Sequence, residues 1–227
     1  MKQLMKTQVL RRLYFSRTEM EQVLILSCLF SICITIIRVL YTSQLMFVWL
    51  QWNLFLAVVP YLITRNLGSV SKPVSRWRLL VTAAVWLLFI PNAFYIITDL
   101  FHLVERDPVP LWFDLALILS FVWNGIILGI LSVRQMEMAL EQRFRLPSEW
   151  VFILPVMFLN ALGVYIGRVL RYNSWDILAR PFSLISDIGY LLVHPVRNRD
   201  DWSMIICYTL LMTIIYVTVK RIGKTIK

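Results

Sequence analysis

Charge is scarce in this chain. Only 16% of its 227 residues are Asp, Glu, Lys or Arg, against roughly a quarter in soluble domains. Histidine is rarer still, represented by His102 and His194 alone. The three cysteines, Cys28, Cys33 and Cys207, lie inside apolar runs without metal-ligand spacing. Packed thiols are expected there, and a disulfide framework is not indicated. The patterns G-x-S-x-G, G-x-x-x-x-G-K, G-x-G-x-x-G and H-E-x-x-H are all missing, which removes the usual nucleophile, nucleotide and zinc-protease signatures. Internal repeats, Gly/Ser linkers and low-complexity tracts are missing too.

Apolar residues take the place of charge. They make up 59% of the chain, and mean hydropathy is +0.70. That excess is too large for one soluble core, and several runs approach the ~20 residues a helix needs to cross a bilayer. The expected fold class is all-α: a polytopic transmembrane helical bundle of about six spans. The spans run roughly from Gln22 to Tyr41, Gln44 to Ile63, Arg78 to Thr98, Leu111 to Val133, Trp150 to Val169 and Ser203 to Val219. Tyr41, Trp77, Trp112, Trp150 and Trp202 mark their ends, as interfacial aromatics do. Residues 1–227 are read as a single integral membrane domain. It comprises a basic cytoplasmic segment (1–21), the helical bundle (22–219) and a basic cytoplasmic tail (220–227). The first apolar run is not followed by a small-residue cleavage site, so an uncleaved first span is expected.

The net charge of +10 would suit nucleic acid, but cytoplasmic loops of membrane proteins collect Lys and Arg for another reason. The lipid bilayer is the expected partner, and nucleic acid is not. Lys2, Lys6, Arg11, Arg12 and Arg17 precede the first span, and Arg65, Lys72, Arg76 and Arg78 fill or border the second loop. Arg134, Arg143 and Arg145 fill the fourth loop, and Lys220, Arg221, Lys224 and Lys227 follow the last span. This alternation places both termini in the cytoplasm. The fifth loop, with Arg168, Arg171, Arg180, Arg197 and Arg199, breaks it. The short run "PFSLISDIGYLLVHP" in that loop is expected to be a re-entrant or interfacial helix between spans five and six.

Polar residues recur at two depths. Asn92, Tyr95, Asp99 and His102 are three, four and three positions apart, so they are expected to share one helix face, turned toward protein. Asn53, Asn92, Asn124 and Asn160 form a candidate intramembrane polar layer. Asp99, His102 and Asp114 are candidate catalytic residues at the outer edge. Arg168, Arg171, Asn173 and Asp176 are a candidate anion-binding group, because guanidinium forks suit phosphate and carboxylate. Arg38 ends the first span at the same side and either joins them or snorkels. Gly163 and Gly167 form a small-xxx-small pair that permits close helix approach. Asp99 and His102 could supply half a metal site, but no complete motif accompanies them. Neither a metal nor a cofactor is assigned.

The strings "WNLFLA", "LFIPNAFYIITDLFHL", "LWFDLALILSF" and "GVYIGRVLRYNSWDIL" resemble a family of bacterial integral membrane proteins, domain of unknown function 1361. The resemblance runs from about Asn53 to Leu178. It implies a bacterial inner-membrane location and no particular chemistry. Three functions stay open on sequence alone. One is an accessory, sensing or assembly role, with a homo-oligomer or membrane protein as partner. Another is a membrane-embedded enzyme acting on a phosphate- or carboxylate-bearing, lipid-linked substrate. The last is a small-solute transporter, to which the span-interrupting Pro60, Pro91 and Pro155 would be suited.

Overall fold

A computed structural model describes residues 19–65, 67, 75–144, 146–173 and 175–225. The basic residues Lys2, Lys6, Arg11, Arg12, Arg17, Lys72, Arg145 and Lys227 lie outside them, as does the side chain of Lys224. The described chain is mostly helical: α1 (Glu19–Thr42), α2 (Trp49–Thr64), α3 (Arg76–Tyr95) continued by a 3-10 segment (Ile96–His102), and α4 (Leu111–Phe144). Then follow α5 (Trp150–Arg168), α6 (Asp176–Ala179), α7 (Pro181–Val193) and α8 (Arg199–Thr225). Among the described residues, five helical stretches are long and apolar enough to cross a membrane, and α2 and α7 are shorter apolar helices. This is consistent with a helical bundle of about six spans.

Two compact units emerge: residues 1–52 with 100–124, and residues 53–99 with 125–227. In the first unit, α1 inverts the pattern of a soluble helix. Ser31, Thr35 and Arg38 are buried while Phe30, Ile37 and Leu40 are exposed. The three polar residues share one face by spacing, and a helix in lipid turns such a face toward protein. The hydroxyls need no distant partner to be satisfied: Thr35 Oγ1 donates to the Ser31 carbonyl at 2.9 Å. Ser43 and Phe47 take left-handed φ values of 54° and 66°, so α2 starts at Trp49 and not at Gln44 as hydropathy suggested. A non-glycine residue at positive φ cannot continue a right-handed helix.

In the second unit, α5 packs against both α3 and α8. The predicted close approach is present. A Cβ on Gly163 would come within 2.6 Å of the Pro91 ring on α3, and one on Gly167 within 3.3 Å of the Tyr95 ring. Ala161 and Tyr165 of α5, Leu191 of α7 and Ile205 of α8 form a buried cluster. The Trp202 indole donates to the Leu191 carbonyl at 3.2 Å. These contacts hold α7, whose 13 residues reach only ~20 Å at 1.5 Å each, short of the ~30 Å hydrocarbon core.

Two spans continue past their hydropathic ends. The 34 residues of α4 extend through Arg134–Phe144, and α8 runs through Lys220 to Thr225. Gln, Met, Glu, Ala, Leu, Lys and Arg are good helix formers, so charge ends the apolar signal without ending the helix. Residues 220–225, expected as a tail, are therefore helical. Cys28 is half-buried, whereas Cys33 and Cys207 are exposed, all as free thiols. The expectation of packed thiols is thus corrected for the latter two, which sit on outward helix faces.

Candidate functional site

The α-helix of α3 ends at Tyr95, after Pro91 has removed one amide donor, and tightens into the 3-10 segment. A 3-10 turn advances about 120° per residue. The single face expected from Asn92 to His102 is therefore broken between Tyr95 and Asp99. Asn92 Nδ2 turns back to the Phe89 carbonyl at 3.0 Å. Asp99 is fully buried, and its Oδ2 accepts from Asn53 Nδ2 at 2.9 Å. Its Oδ1 has no hydrogen-bond partner, and Arg168 acts on the carboxylate electrostatically. Asp99 and Asn53 thus form a bonded pair in the second unit, with Arg168 contributing a longer-range positive charge. Asn160 Nδ2 donates to the Val156 carbonyl of its own helix at 3.0 Å, leaving Oδ1 unpartnered.

In the first unit, Asp114 is held by Arg38. Arg38 Nε donates to Oδ1 at 2.6 Å and Nη2 to Oδ2 at 3.0 Å. Their side chains are only 2% and 1% exposed. The fork-on-carboxylate geometry is the strong form of this pair. The Phe47 ring lies 4.7 Å from the same guanidinium. Asn124 Nδ2 donates to Ser31 Oγ at 2.9 Å. His102 sits edge-on to the Trp49 ring with centroids 4.9 Å apart.

The expected anion-binding residues part company. Asp176 Oδ2 accepts from the Asn173 amide at 2.6 Å, and Arg180 donates to Oδ1 at 3.1 Å. The Asn173 amide and then Arg180 hold the Asp176 carboxyl below its usual range. Arg171 is exposed, with a left-handed φ of 60°, and the following amide of Tyr172 turns back to the Ile166 carbonyl at 3.1 Å. The Tyr172 hydroxyl donates to Asp187 Oδ2 at 2.8 Å, which raises its pKa. These are contacts of a folded loop around α6, with Arg180 in place of Arg171 as the carboxylate's cation.

Sequence reading missed a larger network at the end of α4 away from Asp114. The buried Glu137 accepts from Arg134 at 2.5 Å, from the Tyr216 hydroxyl at 2.6 Å and from Lys220 at 2.6 Å. Lys220 also reaches Glu149 at 2.5 Å, as does Arg221. Arg134, Glu137, Glu141, Leu146, Glu149 and Lys220 line a cavity of about 140 Å³. The available signal was a glutamate three residues after Arg134, within a helix too long to stop at the membrane edge. Nearby in the same unit, Ser132 Oγ meets the Trp86 indole at 2.7 Å and Thr64 Oγ1 at 3.1 Å. Among the described residues no His/Cys/Asp/Glu group is arranged to hold a metal ion.

Apolar spans turned outward and polar side chains turned inward define a multi-pass membrane protein. The family described as protein of unknown function (DUF1361) matches residues 52–215, and the chain belongs to it. Neither a curated protein nor a solved structure matches the chain.

Proposed function

We propose that this is a multi-pass protein of the bacterial cytoplasmic membrane with an accessory, sensing or assembly role, its partner being a membrane protein or a second copy. Both termini face the cytoplasm, so Asp99, Asp114 and Arg38 belong to the outer side. The supporting observation is the Arg38–Asp114 pair, bidentate and almost fully buried. A carboxylate so engaged is unsuited to proton transfer and well suited to joining α1 to α4. The test replaces both members of the pair at once, Arg38→Met together with Asp114→Leu. Buried ion pairs exchanged for packed apolar groups are often neutral or stabilising. The double variant should rescue whatever phenotype a deletion strain shows, while Asp114→Leu alone should lose folded protein. A well-folded double variant that fails to complement would remove the structural reading.

A second reading, a membrane-embedded enzyme with an anionic substrate, draws on Asp99. Its free carboxylate oxygen is buried beside Asn53 and under the influence of Arg168. Asp99→Asn keeps the shape and removes the charge. On the assembly reading it complements the deletion; a stable protein without function would favour the enzyme.

A further inference from the structure

The first unit contains a guanidinium that Asp114 does not exhaust. Arg38 uses Nε and Nη2 on the carboxylate, and Nη2 also approaches the Met46 sulfur at 3.7 Å. Its Nη1 is buried without a partner. A buried charged donor left unmatched is costly, so the geometry calls for an acceptor. A second cation lies at the same ring: Arg106 stands 5.8 Å from the Phe47 centroid and Arg38 stands 4.7 Å from it. Arg106 is steadied through Nη1, which donates to the His102 carbonyl at 3.0 Å and the Val104 carbonyl at 3.2 Å. Among the described residues it has no carboxylate partner; its chain neighbours Glu105 and Asp107 are exposed and form no ion pair with it. Two guanidinium groups therefore meet the Phe47 ring, and only that of Arg38 is matched by a carboxylate, Asp114.

We propose that Arg38 and Arg106 form a binding site for an anionic phosphoryl group, covered by the turn from Ser43 to Val48. Arginine forks match phosphoryl oxygens in pairs. The cover carries two non-glycine residues at left-handed φ, Ser43 and Phe47, and Phe47 is only 2% exposed. Such strain suits a segment with a second arrangement, in which Phe47 swings off Arg38 and a phosphoryl oxygen takes up Nη1. Arg38 is one turn from the end of α1, and Asp114 lies in the first turn of α4. The site is thus near the ends of α1 and α4, where a lipid headgroup or a soluble phosphate would approach once Phe47 moves.

The test uses the full chain, purified in neutral detergent and stripped of lipid. Phosphatidylglycerol, inorganic phosphate and, as a phosphoryl-free control, diacylglycerol are titrated separately. Tryptophan fluorescence follows every titration, and native mass spectrometry counts bound lipid. Phosphatidylglycerol or phosphate should bind more tightly than diacylglycerol, and the tighter of the two identifies the source. Arg106→Gln should weaken that binding at least tenfold, with Arg106→Lys between it and the parent. Arg106 bonds the His102 and Val104 carbonyls and neither member of the Arg38–Asp114 pair, so these variants keep that tie. Equal binding of all three probes, or Arg106→Gln affinities within twofold of the parent, overturns the proposal. Arg38→Met with Asp114→Leu removes this site as well as the pair, so a failed complementation counts against the structural reading only where Arg106→Gln, which keeps the pair, complements.

Discussion

Lys220 shows what a membrane-edge cation can become. Its charge served as a topology signal, yet the side chain is 5% exposed and its ammonium bridges Glu137 on α4 to Glu149 before α5. Removing one partner from a buried ion network leaves the others desolvated and unmatched, at a typical cost of about 3 kcal/mol. Lys220→Met should lower the thermal midpoint in detergent accordingly, and Arg221→Met far less, because Arg221 is 56% exposed and exposed pairs contribute about 0–1 kcal/mol. Equal losses for both variants would mean that the network holds nothing together. Sequence could supply Lys220 and Glu137 but not their meeting, which joins positions 83 residues apart. The same holds for Arg38 and Asp114, 76 apart. Hydropathy gives depth along a span, but the direction of a side chain around the helix axis depends on neighbours that a single chain does not name.

Helix pairing is decided by small residues. Gly163 lets α5 approach Pro91 of α3, and a Cβ placed there would sit 2.6 Å from two ring carbons. A proline ring cannot rotate aside, so Gly163→Ala should cost about 1–3 kcal/mol by overpacking. Gly189 in α7 is the internal control, since a Cβ there meets nothing within 4 Å. Gly189→Ala should be neutral or gain about 0.5–1 kcal/mol from reduced backbone freedom. Thermal unfolding of the two variants in one detergent checks the contrast, and a destabilised Gly189→Ala with an unaffected Gly163→Ala would reverse it. The small-xxx-small spacing of Gly163 and Gly167 was legible in the sequence, as were the long apolar spans and the short helix α7. Helix ends were not, because α4 and α8 continue on charged helix formers and α3 tightens into a 3-10 segment beyond Pro91. That last change also undid the shared face drawn through Tyr95 and Asp99, since it rested on 3.6 residues per turn.

Orientation follows from where unpaired positive charge resides, and the ion networks alter that count. Arg134, Lys220 and Arg221 are matched by Glu137 and Glu149, so their effective charge at the membrane surface is smaller than the sequence suggests. The N-terminal cluster of Lys2, Lys6, Arg11, Arg12 and Arg17 then carries most of the positive-inside signal, which acts strongly near the first span. On the proposed orientation that end lies inside, and an even number of crossings would bring α8 back to the cytoplasm. This requires α2 to cross and α7 not to. The 16 residues of α2 reach ~24 Å, which local bilayer thinning can accommodate; the shorter α7 is anchored by Leu191 beside α5 and α8. Fusions decide the matter. Green fluorescent protein after the last residue should fluoresce, alkaline phosphatase at that point should be silent, and alkaline phosphatase inserted beside Arg106 should be active. An active phosphatase at the C-terminus together with an active one beside Arg106 would show that α7 crosses. A silent one beside Arg106 would place the Arg38–Asp114 pair, and the phosphoryl site proposed at it, on the cytoplasmic side.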